Sequence, residues 1–273
     1  MSHNRQEKIE ALGRVIDVLD ELRQKCPWDR VQTNQSLRPN TIEEVYELCD
    51  ALLSEDTPNI KKELGDVLLH VLFYSKIGEE KEDFDIADVA DALCKKLIYR
   101  HPHVFGETQA DTAHQVELNW EQIKLKEKDG NKTVLSGVPA SLPPLIKAYR
   151  VQEKAANVGF DWERPEDVWA KVKEEIAEFE SEMERARAAA DNSGKPEPTP
   201  EMLAEYGDLL FSLVNAGRLY GMHPDSALEL TNKKFISRFN YIEAAAKKQG
   251  RKLKELTLDE MEQLWQEAKS ERN

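Results

Sequence analysis

Apolar residues return every third or fourth position along almost the whole chain, a spacing that leaves little room for anything but helices. Ile9, Leu12, Ile16, Leu19 and Leu22 form one stripe, ended by Cys26-Pro27-Trp28. A second helix is expected to open at Thr41, where Glu44 completes a capping box, and to carry Ile42, Val45, Cys49 and Leu52 inward. Thr57-Pro58 starts a third, which buries Leu64, Val67, Leu68, Val71 and Leu72 and closes at Gly78. A fourth runs from about Asp85 to Tyr99, ahead of a loop from His101 to Gly106. The second half follows the same plan. Pro165 opens a helix bearing Val168, Val172, Ile176 and Phe179, and Thr199-Pro200 opens one with Leu203, Leu209, Leu210, Leu213 and Val214, ending at Gly221. Another spans Pro224 to about Gln249, and Thr257 with Glu260 caps the last, Leu258 to Lys269. Apolar–polar alternation and Asn-Gly turns are absent, so the expected class is all-α.

Two stretches read as connectors. Asp129 to Pro144 carries two glycines and three prolines, and Ala188 to Pro200 (AAADNSGKPEPTP) reads as an exposed insertion. The expected division is therefore a helical domain over 1–128, a linker over 129–144 and a second helical domain over 145–273, with the insertion at about 188–200.

Charge narrows the function. With 52 acidic against 38 basic side chains the formal net charge is −14, which argues against a partner that is a nucleic-acid polymer. It leaves room for one small phosphorylated ligand held by a local basic patch or a metal. No window approaches the roughly 20 apolar residues that span a bilayer, so no membrane partner is expected. The polar amino-terminal stretch and three cysteines without a CxxC pair fit a cytoplasmic protein with idle thiols.

One order of groups occurs twice. Glu43, Glu44 and Glu47 are followed by Glu63 and Asp66 (ELGD), then Lys95, Lys96 and Arg100 (KKLIYR). Glu174, Glu175 and Glu178 are followed by Glu205 and Asp208 (EYGD), then Lys233, Lys234 and Arg238 (KKFISR). Such internal similarity signals duplication of one helical unit. Acids three or four residues apart share a helix face, so Glu175 and Glu178 converge, as do Glu205 and Asp208. Two antiparallel helices bring the four to one point, where a cation must offset their repulsion. Oxygen ligands alone suit Mg²⁺ or Mn²⁺. Gly65 and Gly207, costly inside helices, suggest close approach of a neighbouring helix or a ligand. Lys234 and Arg238 add a cationic edge. Carboxylates, a divalent ion and a basic pair together describe a polyphosphate site.

At these residues the chain resembles the MazG-type nucleoside triphosphate pyrophosphohydrolases in their two-domain bacterial form. Both halves carry the family's EExxE followed by ExxD. Further matching stretches are CPWD (26–29), RHPHVF (100–105), WEQIK (120–124), NVGFDW (157–162) and MEQLWQ (261–266). The resemblance implies tandem four-helix-bundle-like domains and a homodimer. It implies Mg²⁺-dependent hydrolysis of nucleoside triphosphates to monophosphate and pyrophosphate, with broad base tolerance. It assigns activity to the second domain and assembly to the first. Carried over residue by residue, Glu175, Glu178, Glu205 and Asp208 hold Mg²⁺, Lys171 and Glu174 line the triphosphate, Lys234 and Arg238 grip phosphate oxygens, and Trp265 contacts the nucleoside. The basic residue that the family commonly has shortly before ExxD is replaced here by Glu201. Glu174 is the candidate that orients or deprotonates the attacking water.

Arg100 and Lys124 are further candidates to reach a phosphate. Glu43, Glu44, Glu47, Glu63, Asp66 and Lys96 form a candidate second site. His101 and His103 read as loop packing rather than metal ligands; Trp28, Trp120 and Trp162 could stack on bases, though buried tryptophans are more often core anchors. Two other readings compete. A carboxylate-bridged di-iron bundle needs Glu-x-x-His within its helices, which this chain lacks. A non-catalytic nucleotide-binding dimerisation module remains the alternative.

Overall fold

A computed structural model of the chain describes residues 3–112, 115–116, 119–120, 123–124, 133–189 and 197–270. Residues 129–132 of the expected linker, 190–196 of the expected insertion and Glu121 and Gln122 of WEQIK lie outside the described residues. Those that are described form helices and connecting turns with no strand. The fold is all-α. None of the described helices is long and apolar enough to cross a membrane.

The chain divides into two compact units, Met1–Val116 and Glu117–Asn273. The first contains α1 (Arg5–Lys25), α2 (Pro27–Arg30), α3 (Asn34–Leu53), α4 (Thr57–Glu79), α5 (Ile86–Arg100) and α6 (Pro102–Phe105). Leu19, Leu37, Leu72, Phe73 and Ile77 make its core, where α1, α3 and α4 meet. The buried Arg23 guanidinium pins α1 to the end of α4. Its Nε donates to Glu80 Oε1 at 2.8 Å, its Nη2 to Oε2 at 2.5 Å, and its carbon lies 5.4 Å from the Phe73 ring centre.

The second unit contains α7 (Pro144–Ala156), α8 (Pro165–Ala189), α9 (Pro200–Leu219), α10 (Pro224–Lys248), a 3₁₀ turn (Leu253–Glu255) and α11 (Leu258–Ser270). Val168 and Val172 of α8 pack on Ala216 of α9, and Ile242 and Ala246 of α10 pack with Leu256. The Thr257–Glu260 capping box forms as expected, with bonds of 2.7 and 3.2 Å. Helix α7 has no counterpart in the sequence reading, which leaves Pro144–Ala156 between its connector and the Pro165 helix.

Two expectations need correction. Helix α3 opens seven residues before Thr41, at Asn34, because Thr33 and Ser36 cap each other reciprocally (2.8 and 3.1 Å). The helix runs on through Pro39. Thr41 is thus interior: its Oγ1 donates to the Leu37 carbonyl at 3.0 Å and lies 2.9 Å from His70 Nδ1 and 2.6 Å from Tyr74 Oη. The inward faces are also rotated from those expected. Ile42, Val45, Cys49, Leu52, Leu64 and Val71 are exposed, as are Ile176, Leu203, Leu210 and Leu213. What faces the seam between α3 and α4 is Thr41, Glu44, Leu48 and Ala51. The acids occupy the position that an apolar stripe would normally take, and the stripe is displaced outward.

Candidate functional site

Helices α3 and α4 pack together across a short turn, and so run antiparallel. Helices α8 and α9 also pair, with Glu175 near Glu205 while the earlier Val168 and Val172 meet the later Ala216. That reversal makes them antiparallel too. Each seam therefore places the middle acid of EExxE opposite the acids of ExxD.

In the second unit Glu175, Glu205 and Asp208 each offer an oxygen such that all lie within 4.8 Å of one another. Glu175 is buried and Glu205 half-buried. Burial first, then the charges of Glu178, Asp208 and Glu175, push the Glu205 carboxyl above the ordinary carboxylate range. Glu178 is exposed and outside this trio, though its charge is felt at Glu205. Lys171, one turn before Glu175, reaches its Oε1 at 2.6 Å and Glu174 Oε1 at 2.9 Å. The Glu175 bond, then the Glu174 bond, hold the Lys171 ammonium well above the usual lysine range.

The first unit repeats the arrangement with Glu44, Glu63 and Asp66, again within 4.8 Å. Burial and then the charges of Asp66, Glu47 and Glu63 raise the Glu44 carboxyl. Glu63 is buried, and its Oε2 has no hydrogen-bond partner among the described residues. Glu43 and Glu47 are exposed. The lysine here sits on the opposite helix: Lys62 Nζ lies 2.8 Å from Glu63, 3.7 Å from Glu47 and 3.8 Å from Asp66. The sequence reading passes over Lys62, although its place immediately before ELGD was the available signal. Lys96 is exposed on α5.

No ion pair among the described residues links Lys234 or Arg238 to either cluster. Lys234 is exposed, and the Arg238 guanidinium carbon lies 5.4 Å from the Trp265 ring centre. Trp265 also packs on Phe235, with ring centroids 5.1 Å apart. Arg100 is half-buried at the end of α5, and Lys124 is half-buried. His101 Nδ1 lies 2.6 Å from the Leu97 carbonyl and its ring is 5.6 Å from that of His103, so the two rings pack as a pair. Of the two expected reasons for Gly65 and Gly207, a neighbouring helix or a ligand, the first does not hold: a methyl built on either meets nothing within 4 Å, so no described helix presses on them.

Residues 32–105, which span the first acidic pair, match the MazG nucleotide pyrophosphohydrolase domain. The chain is 40% identical over 258 residues to the Nucleoside triphosphate pyrophosphohydrolase/pyrophosphatase MazG of Thermotoga maritima, covering 93% of this chain and 94% of that protein. The chain belongs to the MazG family. A second member, the Nucleoside triphosphate pyrophosphohydrolase of Escherichia coli K12, is 38% identical over 263 residues, 94% of this chain and 97% of that one. A MazG relative from Mycobacterium tuberculosis is 38% identical over 152 residues, 55% of this chain and 46% of its own length. The full-length matches run through both helical units of this MazG chain.

Proposed function

We propose that the chain hydrolyses nucleoside triphosphates to the monophosphate and pyrophosphate, with Mg²⁺ and with broad base tolerance. The observation that carries this is the meeting of Glu175, Glu205 and Asp208 across one helix seam in a member of this enzyme family. An all-oxygen donor set suits a hard divalent ion, Mg²⁺ foremost and Mn²⁺ next. Glu178 completes the set from the same helix as Glu175. Bound there, the ion supplies Lewis-acid neutralisation of phosphate charge.

The remaining work falls to side chains. Glu174 orients the attacking water and accepts its proton as the oxygen joins the α-phosphorus and the bond to the β-phosphate opens. Lys171 leaves Glu175 for the triphosphate, exchanging a carboxylate partner for phosphate oxygens. Lys234 and Arg238 offset charge on the departing pyrophosphate, Trp265 contacts the nucleoside, and Arg100 and Lys124 offer further phosphate contacts. The catalytic unit spans 145–273, and 1–128 serves assembly. The outward apolar residues on α3, α4, α8 and α9 fit a homodimer. Three unpaired thiols and a nucleotide substrate fit the cytoplasm.

Glu174→Gln tests the reading. The variant is expected to bind Mg²⁺ as the parent does in calorimetry and to release pyrophosphate about a hundredfold more slowly. Turnover equal to the parent's would remove Glu174 from the reaction, and absence of pyrophosphate release by the parent would remove the function itself.

A further inference from the structure

The two acidic seams share a register, and the register shows where they differ. Glu44 answers to Glu175, Glu63 to Glu205 and Asp66 to Asp208. By the same spacing Thr41 answers to Val172, His70 to Ser212 and Tyr74 to Ala216. We infer that Thr41, His70 and Tyr74 form a pairing key, which admits α3 to α4 and refuses the look-alike helix α8.

Thr41 Oγ1 lies 3.0 Å from the Leu37 carbonyl, 2.9 Å from His70 Nδ1 and 2.6 Å from Tyr74 Oη. A hydroxyl has one proton and two lone pairs. The carbonyl can only accept, so the Thr41 proton goes to Leu37 and the other two groups must donate to Thr41. That assignment alone satisfies all three contacts. It makes His70 an imidazole protonated at Nδ1. Burial, which outweighs the Asp66 charge, lowers the His70 pKa and keeps the ring neutral. His70 is 8% exposed, and Thr41 and Tyr74 are half-buried. Helix α3 thus presents an acceptor, and α4 presents two donors that need it.

The second seam is apolar at the same positions. Val172 and Ala216 belong to its core with Val168, and the buried Ser212 hydroxyl donates to the Leu209 carbonyl of its own helix at 2.9 Å. Exchange the partners and both seams fail. Helix α8 laid on α4 sets Val172 against the His70 N–H and the Tyr74 O–H, two donors without an acceptor. Helix α3 laid on α9 sets Thr41 against Ala216 and a serine already committed, with a void where two rings stood. Each buried donor left without a partner disfavours the wrong pairing by about tenfold or more. A chain that carries one helical plan twice needs such a device, because like helices otherwise trade places during folding. The acids do not provide it, being the same in both seams.

The full chain carries its own reporter. Lys62 Nζ on α4 lies 3.7 Å from Glu47 on α3, and Glu178 is the α8 counterpart of Glu47. Zero-length carbodiimide coupling after refolding from urea joins Lys62 to Glu47 in the right pairing and to Glu178 in the wrong one. Mass spectrometry reads the ratio. Val172→Thr nearly keeps the side-chain shape, and its hydroxyl can bond to the Val168 carbonyl as Thr41 does to Leu37. The second seam therefore stays satisfied while α8 gains the key. V172T is expected to raise the Lys62–Glu178 share about tenfold over the parent, and T41V/V172T, which moves the key outright, further still. Ile77→Val loosens the core of the first unit without touching the key and should leave the share at the parent's level. Ring-nitrogen NMR at neutral pH, with His70 assigned by its absence from His70→Gln, should find the proton on Nδ1. A share unmoved in V172T and in T41V/V172T overturns the inference. So does an equal rise in I77V, which would make the triad packing alone, and so does a His70 ring protonated at Nε2.

Discussion

Three carboxylates whose oxygens lie within 4.8 Å of one another repel, and nothing in the protein alone fully offsets them. At that separation two unit charges interact by about 3.5 kcal/mol at an effective dielectric of about 20, and by about 0.9 kcal/mol in bulk water. Glu205 is half-buried between a buried Glu175 and an exposed Asp208, so the screening is closer to water. Glu205→Gln keeps the shape of the side chain and deletes its repulsions with Glu178, Asp208 and Glu175. Without metal, E205Q is expected to be more stable than the parent, with a higher unfolding midpoint. With Mg²⁺ at about a hundred times its dissociation constant, the parent gains about 2.7 kcal/mol and E205Q far less, so their order inverts. The pH dependence has a definite sign. Because the folded Glu205 carboxyl is raised, chiefly by burial and then by Glu178 and Asp208, the stability it favours is present at low pH and lost as pH climbs through the raised value. The metal-free difference between parent and variant is therefore small near about pH 4 and grows toward about pH 7. Thermal unfolding by circular dichroism, with chelator and then with Mg²⁺, reads all three effects. The acidic cluster in the N-terminal unit is common to both proteins and drops out of the comparison. A metal-free E205Q that melts no higher than the parent at neutral pH, or that gains as much from Mg²⁺, would refute the reasoning.

Three more outcomes follow from local geometry. A methyl at Gly78 would lie 2.8 Å from the Phe84 carbonyl and 2.9 Å from its ring, so Gly78→Ala should cost about 1–3 kcal/mol in denaturant unfolding. Gly207→Ala meets nothing and should instead stabilise α9 by up to about 1 kcal/mol; if it also lowers pyrophosphate release, a ligand or second copy uses that space. The Arg23 hydrogen bond holds the Glu80 carboxyl below its ordinary range, so its stabilisation is present at neutral pH and fades as pH falls through the lowered value. Because Glu80 is over a third exposed, Glu80→Gln should cost only about 1 kcal/mol near neutrality, and urea titrations should find that gap closing under acid.

Apart from α7, the existence of the long helices was legible because its signals are local. Asp85, Thr199 and Thr257 each cap the helix that their spacing announces. Thr41 misled because its spacing to Glu44 is equally local, while the Thr33–Ser36 pair that caps the helix lies beyond Pro39, a residue type that ordinarily breaks a helix. The acids were legible through repetition, yet which of each four turns inward was not. Periodicity puts Glu175 and Glu178 on one face without saying that the first is buried and the second exposed. Facing was the least legible property. Ile42, Val45 and Leu52 form a sound stripe, and a stripe says only that something covers it, not that the same chain does. Lys62 stands immediately before ELGD and was legible there, whereas the stop of α7 rests on a single left-handed glycine, Gly159, which no local pattern reports.

A helix pair that keeps its charges in the middle and its oil on the outside has a bearing on how such a chain comes into being. Emerging from a ribosome, the α3–α4 hairpin can form early, since its turn is short and its contacts are near in sequence. What it then shows to the surroundings is Ile42, Val45, Leu64 and Val71, a sticky coat rather than a finished surface. Dilution would leave that coat wet and crowding with other unfolded chains would foul it, so the yield of usable protein should depend on how quickly a cover is found.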